Sequence, residues 1–277
     1  MINDQNYLHE LFINEAKPAL DRHSIGGNGG GDPADNTLVL SIIERSIAEV
    51  PSDLERIGPY AFAGCQNITS VNLPRLTSLV GYEFYKCQGL TSVNLPLVTD
   101  IGNGTFYGCD NLTAVTDVNL PSATSIGNSA FYGCQGLTSV NLTLVTDIGT
   151  GAFYNCTSLT DVNFPSATSI GNSAFYGCQG LTAIDFLAVT SIGSSVFQNC
   201  INLNALILRS DTKCTLGSNS SFNGTALRSS GYIYVPSALV DSYKTTGGWS
   251  ILSSRFRALE DYTVDGTIYG ALDETKI

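Results

Sequence analysis

The stretch PSATSIGNSAFYGCQGLT fills residues 121–138 and occurs again, letter for letter, at residues 165–182. Weaker copies lie on both sides, and all share the frame C-x-x-L-x-x-V-x-L-P-x-x-T-x-I-G-x-x-A-F-x-x. Internal similarity at a fixed period of roughly 20–50 residues is typical of solenoids and other repeat arrays. The chain is therefore predicted to be a repeat array rather than a compact globule.

Cysteine and phenylalanine mark the phase of the repeat. Seven cysteines stand 22 residues apart, except that 25 residues separate the third from the fourth. The longer gap holds three extra residues near 115–118, where LTAVTDVNLP replaces the LTSVNLP of other units. A phenylalanine precedes each of these cysteines by three positions. The in-phase cysteines are Cys65, Cys87, Cys109, Cys134, Cys156, Cys178 and Cys200.

The sequence pattern predicts that each unit forms one coil of a repeat solenoid. Its V-x-L segment has the period of two that a short strand requires, which points both apolar residues inward. The T-x-I-G segment adds another inward residue before a glycine turn, and A-F-x-x-C closes the coil as a turn or a short helical turn. Parallel stacking in register would place residues of equal phase directly above one another, about 4.8 Å apart.

This stacking argues against disulfides among the seven in-phase cysteines. Their side chains would point the same way at about 4.8 Å spacing, whereas a disulfide needs converging Cβ atoms about 3.8 Å apart. We expect a column of buried free thiols, each packed as a small apolar group. No metal site is expected either, because the chain holds no C-x-x-C pair and a tetrahedral site needs convergent ligands. Cys214 lies outside the phase, and the sequence leaves its state open.

Composition favours an uncharged partner. The 277 residues are 43% hydrophobic and only 13% charged, with a formal net charge of −11. Between residues 57 and 200 the only basic residues are Arg75 and Lys86. Nucleic acids and anionic membranes are bound by Lys and Arg that neutralise phosphates, so we expect neither as a partner. No stretch approaches the ~20 apolar residues of a membrane-spanning helix, which predicts no membrane insertion.

The segments before the array differ in character. Residues 1–24 carry apolar residues at helical spacing, which predicts an amphipathic helix without the pattern of a secretory signal. Residues 25–36 are a glycine-rich linker. Two roles fit the helix: attachment or oligomerisation of the protein, or a loose N-terminus. Residues 37–64 predict an irregular, charged coil, as expected of a cap that protects the open edge of a solenoid.

The repeat array proper is predicted to span residues 65–213, in about seven coils, and a cap is predicted at 214–259. A strand is predicted at 232–235, followed by a helix with Ser237 as its N-cap. Gly247-Gly248 ends that helix, and a further helix is predicted to begin at Trp249. Residues 260–277 form a tail. The apolar residues expected to cover the last coil are Leu239, Val240, Tyr243, Trp249, Ile251, Leu252 and Phe256.

Two columns of outward residues on the strand face are candidate ligand-binding positions. Stacked asparagines can also bond to one another and only stabilise the sheet, so both interpretations stay open. Carboxylates tend to alternate with neutral residues along a column, as Asp100, Ser125 and Asp147 do in the T-x-I-G segments. The strand-face columns comprise Ser70, Asn72, Ser92, Asn94, Asp117, Asn119, Ser139, Asn141, Asp161, Asn163 and Asp185.

A further column holds the tyrosine that follows the phenylalanine in five successive units. Tyrosine offers contact area and a hydrogen bond at low entropic cost, so this column predicts a recognition stripe. Aromatic stacking that seals the convex side of the array is the other interpretation. The column comprises Tyr85, Tyr107, Tyr132, Tyr154 and Tyr176.

Catalysis finds little support in the sequence. The only histidines are His9 and His23, which precede the array, so no histidine-based acid–base pair or triad is expected on it. Phosphate-loop, dinucleotide-binding and metal-binding motifs are missing from the sequence. We therefore expect neither enzymatic activity nor a cofactor.

The tandem motifs IGxxAFxxC and CxxLxxVxLP, in seven in-phase copies across residues 54–208, resemble the BspA-type leucine-rich repeat. The resemblance implies a right-handed coil of short parallel strands joined by turns or short helical turns, with an irregular N-terminal coil and a C-terminal strand–helix cap. One departure is Val80, which stands where other units have glycine.

BspA-like proteins are typically bacterial surface proteins, some of them implicated in attachment to host matrix or to other cells. The resemblance implies a non-enzymatic, adhesin-like binding module that recognises a protein or glycan through its repeat surface, on the cell surface or after secretion. No signal peptide or wall anchor is recognised, which keeps two alternatives open. One is a structural or receptor-binding component of a larger particle, such as a phage tail or surface appendage, attached through the N-terminal helix. The other is a cytoplasmic scaffold.

Overall fold

A computed structural model describes residues 50, 52–116 and 120–264, together with the strand residues 37–38 and 267–268. The predicted N-terminal helix and glycine-rich linker lie outside the described residues, as do Asp117, Asn119 and most of the tail. Within the described part, consecutive coils stack on one another through parallel strands.

The strands fall into two main sets. The first set contains the V-x-L segments of the repeats and two cap strands. Its strands are β3 (Ser70–Asn72), β4 (Ser92–Asn94), β6 (Ala114–Thr116), β8 (Ser139–Asn141), β10 (Asp161–Asn163), β12 (Ala183–Phe186), β14 (Ala205–Leu208), β16 (Tyr232–Val235) and β17 (Phe256–Ala258). They form three successive parallel sheets, ordered β3-β4, β6-β8-β10 and β12-β14-β16-β17. The T-x-I-G segments supply one six-stranded parallel sheet, formed by β5 (Asp100–Ile101), β7 (Ser125–Ile126), β9 (Asp147–Ile148), β11 (Ser169–Ile170), β13 (Ser191–Ile192) and β15 (Thr215–Leu216).

Four short strands and several helices complete the described part. Strand β1 (Thr37–Leu38) pairs in parallel with β2 (Arg56–Ile57), and β18 (Thr263–Val264) pairs in antiparallel fashion with β19 (Thr267–Ile268). The α-helix is α1 (Val240–Thr245). The 3₁₀ helices span Asn219–Phe222, Ala226–Arg228, Ser237–Leu239, Gly247–Arg255 and Leu259–Asp261.

Residues of equal phase pair directly across neighbouring coils. Val140 lies opposite Val162, and Ile126 lies opposite Ile148. The register therefore follows the 22-residue period, and the predicted repeat solenoid is confirmed.

A column of phenylalanines runs through the buried core. From Phe62 to Phe222 the consecutive rings have centroids 5.2 to 6.1 Å apart and stack with small interplanar angles. Leu, Val and Ile columns surround them and are almost completely buried. Because each ring contacts the next coil, the phenylalanine column joins the repeats into one continuous core.

The A-F-x-x-C segments form turns. In one coil Ala130 N–H donates to Gly127 O within the coil at 3.4 Å, while Phe131 N–H donates to Ala152 O of the next coil at 2.8 Å. Two residues per turn adopt left-handed backbone, as Ser129 (φ 55°) and Gly133 (φ 71°) do. The backbone N–H groups of the turn thus bond both within their own coil and to the next coil.

The three extra residues of the long unit shift its alignment. Strand β6 pairs Ala114 with Ser139 and Thr116 with Asn141, so these residues hold the column positions that the sequence analysis gave to Asp117 and Asn119. That placement was wrong because V-x-L was matched to Val118 and Leu120. The insertion instead follows the strand.

Val80 is accompanied by a second unusual residue in its coil. Glu83 is fully buried, and its carboxylate accepts hydrogen bonds from Val80 N–H at 2.6 Å and from Gly81 N–H at 2.7 Å. In later coils the glycine N–H at this phase donates to the preceding coil, as Gly127 does to Ile101 O at 2.7 Å. Glu83 thus supplies the acceptors that the preceding coil supplies elsewhere.

The C-terminal cap agrees with the sequence in outline and differs in detail. The strand at residues 232–235 is present, followed by helices. Ser237 is not an N-cap: Pro236 holds that position, and the Ser237 hydroxyl donates to Glu260 Oε1 at 3.2 Å. Ile251 is 45% exposed, because it lies in a 3₁₀ helix, whose three-residue turn changes the face that an α-helix would present.

Two features of the cap region were not predicted. Strand β17 extends the sheet beyond β16, in a segment predicted to be helical. Strand β15 and Phe222 continue the array's columns into the first residues assigned to the cap. The buried ring of Trp249 then packs on Phe222, with centroids 5.5 Å apart, and closes the core.

Candidate binding surfaces

The strand face carries the predicted asparagine column. Asn94 Nδ2 donates to Asn72 Oδ1 at 2.7 Å, and Asn163 Nδ2 donates to Asn141 Oδ1 at 2.8 Å. In the next coil Asp185 stands at this position and pairs with Arg209. The Arg209 Nε and Nη2 atoms each donate to one oxygen of the carboxylate at 2.8 Å. The long unit, with Thr116 at this phase, separates the two asparagine pairs. The amides therefore stabilise the stack in pairs rather than in one unbroken ladder.

The neighbouring serine column differs from the asparagines. Ser70 and Ser92 are exposed and Ser139 is half-buried, and none of their hydroxyls bonds to another described residue. Asp161 stands exposed at the same phase one coil further on. This column therefore presents hydrogen-bonding groups to solvent on four of five successive coils, with Ala114 of the long unit between Ser92 and Ser139.

The tyrosine column is a ladder of stacked rings. Tyr107, Tyr132, Tyr154 and Tyr176 follow one another with centroids 4.4 to 4.6 Å apart and rings within 3° of parallel. Burial, followed by the neighbouring phenols, raises the pKa of Tyr107 and Tyr154. Their ring faces are covered by each other, so the ladder leaves mainly ring edges and hydroxyls at the surface.

Both ends of this ladder contain residues that the sequence analysis did not include. Tyr60 stacks on Tyr82 with centroids 4.9 Å apart, and both rings pack edge-on against Tyr85. At the other end Asn199 Nδ2 donates to the Tyr176 hydroxyl at 2.9 Å. Tyr60 and Tyr82 share one phase of the repeat, two residues before the phenylalanine, and that spacing was the available signal.

A cleft of about 540 Å³ lies on the strand face where the array meets the cap. Ala183 and Ala205 belong to the serine column and are followed in it by Tyr232. Tyr234 and Tyr262 also line the cleft, and their ring centroids are 4.7 Å apart. The alternation in the YIYV strand predicts two outward tyrosines, but the small neighbours that open the cleft become evident only from the register.

The cysteine column is buried and reduced. All eight cysteines, including Cys214, are free buried thiols. From the second in-phase cysteine onward each thiol donates to the carbonyl of the preceding coil's phenylalanine, as Cys134 Sγ does to Phe106 O at 3.0 Å. Burial raises the pKa of Cys87, Cys134, Cys200 and Cys214 to about 12.

These thiols are predicted to be unreactive in the native protein. Since the thiolate is the reactive form, 5,5′-dithiobis(2-nitrobenzoate) at pH 8 should modify none of the eight before the chain unfolds. In guanidinium chloride all eight should react. Rapid native modification of any cysteine, or fewer than eight reactive thiols after unfolding, would contradict this arrangement.

Carboxylates and serines alternate along the first four strands of the T-x-I-G sheet, as the sequence suggested. Ser125 Oγ donates to Asp100 Oδ1 and Ser169 Oγ donates to Asp147 Oδ1, each at 2.6 Å. The preceding threonine donates to the second oxygen of each carboxylate. The serine and then the threonine hydroxyl therefore lower the pKa of Asp100 and Asp147.

This arrangement predicts a small acid sensitivity. A carboxyl pKa that is lower in the folded than in the unfolded state stabilises the fold above the unfolded-state pKa, and the contribution is lost as the pH falls through the folded-state value. Unfolding followed from pH 6 to pH 2 should show a shallower loss of stability in D100N/D147N and in S125A/S169A than in the wild type. An unchanged acid limb in both variants would show that these bonds are not formed in solution.

Within the described residues no group of three or more His, Cys, Asp or Glu side chains is arranged to hold a metal ion. This part of the chain also contains no helix that is long and apolar enough to cross a membrane. The exposed columns and the cleft are thus the surface features of this part of the chain that invite a functional interpretation.

The parallel register, the repeat frame and the buried leucine columns define a leucine-rich-repeat protein. The chain belongs to the BspA-type leucine-rich-repeat family, whose pattern matches residues 45–143 and 99–228, in six copies. Such repeat families are generally non-enzymatic binding or scaffold folds. Among curated proteins, none matches the chain.

Several solved structures are similar to this one. A leucine-rich repeat protein from Bacteroides ovatus is 22% identical, with a TM-score of 0.45 over 76% of this chain and 65% of that one. A leucine-rich cell surface protein from Faecalibacterium prausnitzii is 23% identical, with a TM-score of 0.43 over 73% and 67%. A leucine-rich repeat protein from T. pallidum is 28% identical, with a TM-score of 0.39 over 44% and 57%. This chain thus spans 65% of the B. ovatus protein.

Proposed function

We propose that the chain is a non-enzymatic, adhesin-like binding module that recognises a protein or glycan through the strand face of its repeats. The observation that carries this proposal is the serine column, whose hydroxyls at Ser70, Ser92 and Ser139 make no bond to another described residue. Hydroxyls repeated in register can bond a partner that lies along the stack. Scarce charge at 13% favours a neutral partner over an electrostatic one.

The strand face is a better candidate than the tyrosine ladder. Recognition by tyrosine uses the area of its ring. The rings from Tyr107 to Tyr176 stack face to face on one another, with centroids 4.4 to 4.6 Å apart, so their faces are not open to a partner. The serine hydroxyls, by contrast, have no competing bond in the described part of the chain. We therefore assign a stabilising role to the tyrosine ladder and the binding role to the serine column.

We further propose display on a bacterial surface, as the family resemblance implies. The proposal predicts an envelope or extracellular location for the native protein, and recovery in the cytosolic fraction alone would contradict it. Recovery with purified virions would favour a particle component instead.

Binding screens on glycan and matrix-protein arrays test the proposed function. The strand-face variant S70A/S92A/S139A should lose most of any binding that the wild type shows. The matched variant Y132A/Y154A, which removes two ladder rings, should keep that binding if it remains folded. The opposite result would move the site to the tyrosine ladder. Binding by both variants as strong as that of the wild type would exclude both surfaces.

A further inference from the structure

The strand face changes chemistry where the array meets the cap. Along the serine column the residues become small, Ala183 and Ala205, and then large and aromatic at Tyr232. The result is the cleft described above, with methyl groups on its floor and phenol rings beside them. Its volume of about 540 Å³ lies within the range of roughly 300–1,000 Å³ that is usual for small-ligand sites.

One aromatic wall is held in place by a cation. The Arg257 guanidinium lies 4.2 Å from the centroid of the Tyr232 ring, a cation–π contact that fixes the ring. Arg257 comes from β17, on the far side of β16 from the alanines of β12 and β14. The cleft side of Tyr232 therefore stays open to a ligand.

Four polar side chains around the cleft have no hydrogen-bond partner within the described part of the chain. The Asn204 amide and the Ser230 hydroxyl are exposed and make no side-chain hydrogen bond there, and neither do the phenol hydroxyls of Tyr232 and Tyr234. These four groups are neutral donors and acceptors. The described residues that line the cleft carry no charged side chain.

We propose that this cleft binds a pyranose ring of a neutral glycan. Aromatic rings attract the C–H face of a sugar through their negative quadrupole, while amide and hydroxyl groups at the rim can bond its hydroxyls. The inference rests on the proposed binding function and narrows it to one ligand class and one end of the strand face.

The surrounding backbone argues against a peptide strand as the occupant. Strand β12 pairs with β14, β14 pairs with β16, and β16 pairs with β17. Strands β14 and β16, which carry Ala205, Tyr232 and Tyr234, are each paired on both sides and have no free edge for strand addition. The described lining residues are uncharged and lack the cluster that recognises acidic or phosphorylated motifs. A neutral ligand with an apolar face and many hydroxyls fits both observations.

Isothermal titration of the full chain with neutral hexasaccharides of glucose, N-acetylglucosamine, mannose, xylose and galactose tests the assignment. We expect at least one to bind. Tyr234→Ala should weaken that binding about tenfold or more, as removal of an aromatic anchor does. Ala205→Phe should weaken it as much by filling the floor while every aromatic side chain is kept. Thermal unfolding of each variant checks that it is folded.

Ala114→Phe is the matched control, because Ala114 holds the same column position as Ala205 but lies in the middle of the array. It should change sugar binding less than about twofold. If Ala114→Phe weakens sugar binding and the cleft variants do not, the cleft proposal fails while the wider strand-face function stands. If no hexasaccharide binds at millimolar concentration, or if the cleft variants abolish binding of a protein partner instead, the glycan assignment is wrong.

Discussion

Replacement of Phe153 by alanine is expected to lower the free energy of unfolding by about 3–5 kcal/mol, as for other buried Phe to Ala changes. The Phe153 ring is fully buried. It stacks on Phe131 at 5.3 Å and on Phe175 at 5.2 Å. Its loss leaves a cavity between two coils, and the neighbouring rings cannot close it without breaking the strand register.

Tyr154→Ala provides the matched control. Tyr154 is the next residue and also stacks on both neighbouring coils, but it is half-buried. Its removal breaks two ring pairs and should cost about 1–3 kcal/mol, less than the loss of Phe153. Guanidinium titrations followed by circular dichroism give both values. Equal losses for the two variants would mean that the phenylalanine column does not form the core.

Gly149→Ala is expected to cost about 3 kcal/mol, at the upper end of the range for overpacking. A Cβ atom on Gly149 would lie 2.6 Å from the carbonyl carbon of Gly127 and 2.7 Å from its oxygen. Both atoms belong to the backbone of the preceding coil, so the coils themselves would have to move apart. Glycines at this phase allow the close approach on which the T-x-I-G sheet depends.

Gly133→Ala separates this packing effect from backbone strain. Gly133 has a φ of 71°, and its Cβ atom would meet nothing within 4 Å. Alanine there pays only the left-handed backbone penalty of about 1–2 kcal/mol. The same denaturation assay compares the two variants. A Gly133→Ala protein less stable than Gly149→Ala would contradict the close approach of the coils.

The repeat made the fold predictable and its irregularities less so. A period of 22 residues fixes which side chains share a column, and the pairing of Val140 with Val162 follows from it. In the long unit the V-x-L motif can be aligned either from Val115 or from Val118. The sequence V-N-L at residues 118–120 matches the other units better, and this favoured the wrong alignment. Local likeness could not show that the extra residues follow the strand.

Features that depend on contacts between different phases were also missed. The buried Glu83 accepts hydrogen bonds from the backbone of Val80 and Gly81. The repeat period relates residues of equal phase and therefore does not indicate such a contact within one coil. Ile251 was expected to cover the last coil from a helix, whereas it lies exposed in a 3₁₀ helix. The candidate columns were evident from the sequence, but the cleft required the register that joins Ala205 to Tyr232.

Deletion of one whole repeat tests most directly the claim that residues of equal phase are structurally equivalent. Removal of residues 144–165, which are 22 in number, joins Thr143 to Ser166 and keeps every column in phase. The shortened protein should retain the circular dichroism per residue of the parent and a cooperative unfolding transition, because each coil packs only on its neighbours. Removal of residues 144–154 leaves one unit of 11 residues, which lacks its T-x-I-G and A-F segments and cannot complete a coil, and should abolish that transition. If both deletions are equally disruptive, or equally tolerated, the coils are not stacked in the 22-residue register.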